Sequence, residues 1–530
     1  MITDKASSGI SFVEGAPFVK TSGDAILWET PEPFTGIFPV RCPLSVISYQ
    51  LYLFSSMFVL CLDCGATNVR AMLVDETGTI VGKASQPNAT VPAPENAEFH
   101  HWDADRILAQ LAECARKALE GVPVGEIKAV TITTFGVDGA LVDAQGELLY
   151  PVISWKCPRT ADVMASVGKY ISQEELNRIS GVGAFAFNTI YKLIWLKENR
   201  PELLEKAAAW LFISNILAYR LTGVMATDRT MAGTSQLTDL ASGEFSDEIL
   251  GALGLEKSLF PPIVDAGKII GTVTEEAAKK LGLPIAGVPV VSTGHDTQFA
   301  VFGSGAEKNQ PVLSSGTWEI LMVRSEQAKL SPEDYKDGAT AELDGDSALR
   351  NPGLQWIGSG IIEWVKSLCY AGESYDTMDA EAAALPPGSN GVTLKPDFLP
   401  SGTEKGAICG LVLGRTRAHI YRAAMEALTY RLKSRLARLE SVGGFKSESL
   451  VLVGGGARNK VWTQIRADVL GIPVKVSKVS ESTVLGASMF AFAGAGVFPS
   501  PEAARVAFGI EYETYLPGEN AASYRLLVNS

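Results

Sequence analysis

A chain of 530 residues exceeds the roughly 250–300 residues at which single cores stop growing, so two or three domains are expected. With 46% hydrophobic and 20% charged residues the composition is that of a folded globular protein and excludes the disordered class. The net charge of −13, without any block of Lys or Arg, argues against nucleic acid or an anionic membrane as a partner. It leaves room for a phosphorylated ligand, because backbone N–H groups and a divalent cation supply positive field locally.

Residues 1–56 carry Pro31, Pro33, Pro39 and Pro43 and no helical or alternating period, and an uncharged apolar run follows over 44–62. A run of that length suits a membrane helix, but its last part, 58–62, also reads as a strand, and one segment cannot be both. Met57 is expected to be the functional start, with 1–56 a poorly ordered extension or a misassigned translation start. The seven cysteines (Cys42, Cys61, Cys64, Cys114, Cys157, Cys369 and Cys409) are odd in number and lack a framework spacing, which suits a reducing, cytoplasmic compartment. Cys61 and Cys64 form a Cys-x-x-Cys without a second pair or a His cluster to complete a metal site.

Two apolar runs, 58–62 and 69–74, flank Asp63-Cys64-Gly65-Ala66-Thr67-Asn68 and predict a β-hairpin. Its loop admits two readings. It is either an ordinary turn, or a loop whose leading carboxylate and glycine backbone receive a phosphate with its metal ion. After the turn at 75–78, residues 80–84 extend the hairpin as a meander. Residues 102–120 carry Ile107, Leu108, Leu111, Ala115 and Leu119 at helical spacing, with Asp103 near the start. The strand predicted over 127–133 ends at Phe135-Gly136-Val137-Asp138-Gly139. Ligands of open α/β sheets collect where strands end, so Asp138 is either a hydrogen-bonding group for a polar substrate or a turn residue.

From 158 to 283 the chain reads as helix-rich, with helical spacing over 189–198 and 207–221 and with Trp195 and Trp210 as core residues. Asn188, Thr227-Asp228 and Gly233-Thr234-Ser235 are polar loop material, read singly as structural and together as cleft lining. A short strand over 288–293 then delivers Gly294-His295-Asp296-Thr297 to a helix start. An acid there is well sited to act as a general base; His295 is either a satisfied core histidine or part of the same site. The apolar–polar–apolar pattern returns at 311–323 around Ser314-Ser315-Gly316-Thr317. Later, a strand over 450–453 leads into Gly454-Gly455-Gly456-Ala457-Arg458-Asn459, a helix over 461–470 and a strand over 474–476. Such a unit lets the backbone approach a nucleotide.

The stretches 62–70, 133–143, 153–160, 294–303, 314–323 and 452–459 resemble those of the FGGY carbohydrate kinases, and the resemblance runs from Met57 to about Tyr515. It implies an α/β protein with the duplicated actin/hexokinase-like (ribonuclease H-like) two-domain fold and a central cleft, divided into an N-terminal domain at 57–303 and a C-terminal domain at 304–530. It implies that Ala66, Thr67, Asn68 and Arg70 of the first hairpin and Ser315, Gly316 and Thr317 of the second hold the phosphates of ATP, while Gly454, Gly455, Gly456 and Asn459 meet its adenosine. It implies Asp296 as catalytic base, Gly136, Asp138, His295, Asp296, Thr297 and Asn351 as sugar contacts, and Asp63 with Asp296 as the Mg²⁺ site. The expected acceptor is the C1 hydroxyl of a 6-deoxyketose, with L-fuculose first and L-rhamnulose or another ketose as the alternative.

One departure stands out. Many relatives read Trp-x-Asp-x-Arg-Thr where this chain has Trp155-Lys156-Cys157-Pro158-Arg159-Thr160, so a sugar contact from an acid at 157 is not expected. A reading from another class is a nucleotide-dependent binding protein on the same duplicated fold, as actin is. It has no need of the polar groups Gly136, Asp138, His295 and Asp296.

Overall fold

The computed structural model describes residues 20–21, 26–27, 56–122, 126–399 and 405–529. The expectation for residues 1–56 therefore lies almost wholly outside the described residues.

The chain first builds a meander of β1 (Met57–Cys64), β2 (Asn68–Asp75) and β3 (Ile80–Pro87). Helix α1 (Ala104–Leu119), capped by the Asp103 side chain, then leads to β4 (Glu126–Thr134), which runs parallel to β1. β1 is apolar on both faces because the sheet is covered on both. Phe58, Leu60 and Leu62 join one core with Ile107 and Leu111 of α1, whereas Val59 and Cys61 join another. The two-residue period of a strand makes this division.

After β4, the short β5 (Gly139–Val142) pairs with β6 (Ala209–Phe212) in a separate two-stranded sheet. Around it lie α2 (Thr189–Asn199) and α3 (Ile213–Thr222). The helical spacing read over 207–221 is corrected here: its first part is the strand β6, and only the rest is helix. Ala209, Trp210, Leu211 and Phe212 are all buried, and a short run apolar on every side fits a buried strand as well as a helix turn. β7 (Ile269–Thr272) and β8 (Pro289–Val291) complete a six-stranded sheet of order β7-β8-β4-β1-β2-β3. Helix α4 (Asp296–Gly303) leaves the end of β8.

The second half repeats the plan. β9 (Val312–Ser315) and β10 (Trp318–Met322) form the second hairpin, followed by β11 (Ala339–Leu343), β12 (Arg350–Ile357) and the long α5 (Arg417–Gly443). Next come β13 (Leu450–Val453), α6 (Lys460–Leu470), β14 (Val474–Ser477), α7 (Ser482–Gly494) and β15 (Tyr512–Tyr515). The seven strands lie in the order β11-β12-β10-β9-β13-β14-β15.

Helix α7 does not stay with this second sheet. Its Val484, Met489 and Phe490 pack with Val59, Cys61 and Val74 of the first sheet and with Phe299 and Phe302 of α4. The α4–α7 crossing is backbone on backbone. A Cβ on Gly303 would meet the Ser482 carbonyl at 1.9 Å, and one on Gly486 the Phe299 carbonyl at 2.0 Å. The helix that begins with Asp296 is thus clamped by a segment arriving from the other half. Among the described residues no helix is long and apolar enough to cross a membrane, and the end of the apolar run 44–62 is the strand β1.

Candidate active site

Both hairpins open on the cleft between the sheets, and each is braced by a polar pair directly across its strands. In the first, Asp63 faces Arg70. Arg70 Nε donates to Asp63 Oδ2 at 2.8 Å and its Nη2 to the same oxygen, while Nη1 donates to Glu481 Oε2 at 2.6 Å just before α7. Thr133 Oγ1 donates to Asp63 Oδ1 at 2.8 Å. The Gly65 N–H closes the turn on the Asn68 carbonyl at 2.9 Å, leaving Thr67 and Asn68 exposed at the tip. Arg70 is therefore committed to Asp63 and to the opposite half of the chain.

In the second hairpin Ser315 faces Glu319. Ser315 Oγ donates to Glu319 Oε1 at 3.0 Å, Trp356 Nε1 to Glu319 Oε2 at 2.9 Å, and Arg466 Nη2 both to Ser315 Oγ at 2.9 Å and to Glu319. Every member of this network is buried. The Ser315 side chain belongs to this brace, and Gly316 and Thr317 are the hairpin residues at a cavity. Arg466→Met would strand the Glu319 carboxylate in the interior, and a stability loss of about 3–5 kcal/mol is expected from chemical denaturation. A loss under about 1 kcal/mol would show that the pair is not holding the hairpin.

The first cavity, about 480 Å³, lies under the Asp296 end of α4. The first half contributes Ala66, Gly136, Val137, Trp155, His295 and Thr297 to its wall, and Phe185 and Phe187, stacked 5.2 Å apart, close one end. The second sheet contributes Ile320, Met322, Thr340, Glu342 and Gln355. Asp296 is the first residue of α4 and accepts from the Thr297 N–H at 2.7 Å. Burial raises its pKa; the His295 imidazole, 3.6 Å from Oδ1, opposes that, and the charge of Asp63 adds to it. For His295, burial works against the charged form, but the carboxylates of Glu342, Asp296 and Asp228 outweigh it and the pKa is raised.

His295 is anchored from two sides. Its backbone N–H donates to Thr230 Oγ1 at 2.9 Å, and that hydroxyl donates to Asp228 Oδ1 at 2.5 Å. Its Nδ1 faces Glu342 Oε2 at 3.7 Å, and that oxygen accepts from Gln298 Nε2 at 2.5 Å. Asp228, which the sequence offered only as loop material, is fully buried, and burial pushes its pKa from 3.8 to about 6 against hydrogen bonds from Thr230, Met231 N–H and Ser292. Below 3.8 folded and unfolded chains both hold this proton; between 3.8 and about 6 only the folded chain does. The stabilisation is therefore lost as pH rises through about 6, a change of about 3 kcal/mol. Asp228→Asn is expected to remove that fall from the pH dependence of thermal stability; an unchanged slope between pH 4 and 7 would contradict the assignment.

Two expected sugar contacts do not reach the cavity wall. Asp138 is fully buried, accepting from Trp102 Nε1 at 2.7 Å, from the Trp155 N–H at 3.0 Å and from Lys192. Asn351 is buried next to Glu342 in the β11–β12 register, its amide without a protein partner among the described residues. Cys157 accepts from Arg159 Nε at 3.0 Å within the core, and it is not part of the cavity wall. Glu342, Gln298, Phe185, Phe187 and Lys192 were missed. Except for Gln298, within the stretch 294–303, they lie outside the motifs, and only the pairing of distant strands and helices brings them to the cavity or its supports.

The second cavity, about 370 Å³, lies beside the second hairpin, with Gly316, Thr317, Gly455, Gly456, Asn459 and Trp462 in its wall, together with Tyr375 and Asp379. Gly454 turns at a φ of +90°, and its backbone lies against Ser315, where a Cβ would meet the carbonyl at 2.7 Å. Asn459 caps α6 through the Trp462 N–H at 2.8 Å and donates to Asp379 Oδ1 at 2.9 Å and to Tyr421 Oη at 2.8 Å. A Cβ on Gly456 would come within 2.2 Å of Ser315 Oγ. Gly456→Ala is expected to raise the KM for nucleotide roughly tenfold through this overpacking while leaving that for the second substrate unchanged; steady-state kinetics with each varied separately tests this.

Two duplicated halves that present paired hairpins at one cleft, with an apolar-and-polar cavity on one side and a glycine-loop cavity on the other, define a kinase of small polar molecules. The chain belongs to the FGGY family of carbohydrate kinases: the family's N-terminal domain matches residues 58–303 and its C-terminal domain residues 312–495. The L-fuculokinase of Salmonella typhi is 53% identical over 87% of this chain and 97% of its own length. The L-fuculokinase of Escherichia coli K12 is 52% identical over the same shares. Among solved structures, the xylulose kinase from Rhodospirillum rubrum superposes with a TM-score of 0.80 at 25% identity, covering 89% of this chain and 97% of that one.

Proposed function

We propose that the protein transfers the γ-phosphoryl group of ATP to the C1 hydroxyl of L-fuculose, giving L-fuculose 1-phosphate and ADP. The observation that carries this reading is the 53% identity to an L-fuculokinase across 97% of that enzyme's length. Neither another ketose kinase nor a nucleotide-dependent binding protein is favoured by the comparisons.

In this reading the first cavity takes the sugar. Asp296 accepts the C1 proton as that oxygen attacks phosphorus, since its carboxylate is at the cavity wall and its burial makes it a stronger base than a free aspartate. Ile320 and Met322 offer apolar surface to the terminal methyl, and Glu342 and His295 offer polar partners to the hydroxyls. The second cavity takes the nucleotide, with Gly455 and Gly456 against adenosine and the Gly316 and Thr317 backbone toward the phosphates, which the tip of the first hairpin meets from the other side. For Mg²⁺ we propose Asp296, whose carboxylate is at the cavity wall, with Asp63, held by Arg70 and Thr133, acting through water, since Mg²⁺ usually retains several waters. When bound, Mg²⁺ supplies charge neutralisation on the phosphate oxygens.

Coupled ADP release measured across L-fuculose, L-rhamnulose, D-xylulose, D-ribulose and glycerol tests the assignment. L-fuculose is expected to give the highest kcat/KM. A site built to pair one hydroxyl rejects an epimer that leaves its partner bare, by as much as about 10⁴–10⁵. ATP hydrolysis indifferent to added sugar would refute it.

A further inference from the structure

Val137, in the wall of the first cavity, has a φ of +65°. A β-branched residue in that left-handed region is strained and persists only where its surroundings over-determine it. The surroundings here are two donors on α2. Thr189 Oγ1 donates to the Val137 carbonyl at 2.8 Å and Lys192 Nζ donates to the same oxygen at 2.9 Å. The two residues are three apart, hence on one helix face, and both are completely buried.

Lys192 also pairs with Asp138, whose carboxylate holds the Trp155 N–H and Trp102 Nε1. The buried ammonium of Lys192 has three donors to satisfy, and it spans the Asp138 carboxylate and the Val137 carbonyl. The geometry at the cavity depends on where that oxygen is held. Gly136, just before Val137, lies so close to the catalytic loop that a Cβ on it would meet His295 Nε2 at 2.8 Å. A relaxed Val137 would therefore shift the backbone that faces both the sugar and His295.

We propose that Lys192, acting with Thr189, is a positioning residue for the sugar: through the Val137 carbonyl it holds the left-handed turn that sets Gly136 and Val137 against the substrate. This rests on the reading of the first cavity as the sugar site. Neither residue touches substrate in this account.

The test is a double-mutant cycle against Val137→Gly, since glycine adopts positive φ without strain. Thr189→Val, close to isosteric, is the primary variant, and Lys192→Met, with Lys192→Met/Asp138→Asn to avoid an unpaired buried charge, is the second. In the valine background, Lys192→Met is expected to raise the sugar KM roughly tenfold, and Thr189→Val to raise it severalfold, with the KM for ATP unchanged. In the Val137→Gly background the same substitutions are expected to cost less than about a third of that factor. Equal sugar-KM penalties in both backgrounds would overturn the proposal. So would a Thr189→Val protein with normal melting temperature and unaltered sugar KM, even if both lysine variants fail to fold. Absence of sugar-dependent ADP release in the unmodified protein would instead defeat the underlying assignment of the cavity.

Discussion

Asp296→Asn is expected to lower kcat by about 10²–10⁴-fold, the usual worth of a positioned general base, with the sugar KM little changed. The amide keeps the shape of the side chain and the oxygen that accepts from the Thr297 N–H, so α4 should start as before, but it cannot take up a proton. The pH dependence follows from the same site. Only the ionised carboxylate is active, and burial and Asp63 hold the Asp296 pKa above the ordinary carboxylate range. Activity is thus lost as pH falls through that raised value, and the acid limb of kcat/KM should lie above that of a free aspartate. Near-normal turnover by Asp296→Asn would remove it from the role.

Asp63→Ala is the second large effect, with kcat expected to fall by roughly 10²–10³, the scale of losing one preorganised electrostatic partner. Asp63 is where the first hairpin meets the strand β4 and the C-terminal half: Thr133 and Arg70 both donate to it, and Arg70 continues to Glu481. Removing the carboxylate leaves Arg70 with Glu481 alone and withdraws one of two acids proposed to hold Mg²⁺. The variant should need more Mg²⁺ for half-maximal rate, with a normal sugar KM. Turnover and Mg²⁺ dependence both unchanged in a protein of normal melting temperature would contradict the role.

Much of this architecture could be read from the chain. Continuous apolar runs broken by glycine-containing polar loops foretold both hairpins, and the strand end carrying His295 and Asp296 opens on the first cavity. What escaped the sequence has physical causes. Helix α7, as Ser-Thr-Val-Leu-Gly-Ala-Ser-Met-Phe-Ala-Phe-Ala-Gly, has no polar face, and nothing in such a segment says which sheet it covers; it returns to the first. Asp138, flanked by glycines like a ligand residue, turned out to be held by Lys192, 54 positions away, a partner that local spacing cannot reveal. Glu342 reaches Gln298 and His295 across the cleft, and that meeting exists only once both sheets are assembled. Arg70 and Ser315 sit in the expected hairpins, yet their side chains brace them.

Phosphorylation of L-fuculose at C1 by ATP in this cleft is tested by NMR of the product from a mixture of enzyme, Mg²⁺, ATP and L-fuculose. One new sugar phosphate is expected, with a ³¹P resonance coupled to the C1 methylene protons, formed in equal amount to ADP and about 10²–10⁴-fold more slowly with Asp296→Asn. ADP formed with inorganic phosphate alone, or a phosphate coupled to any other carbon of the sugar, would contradict it.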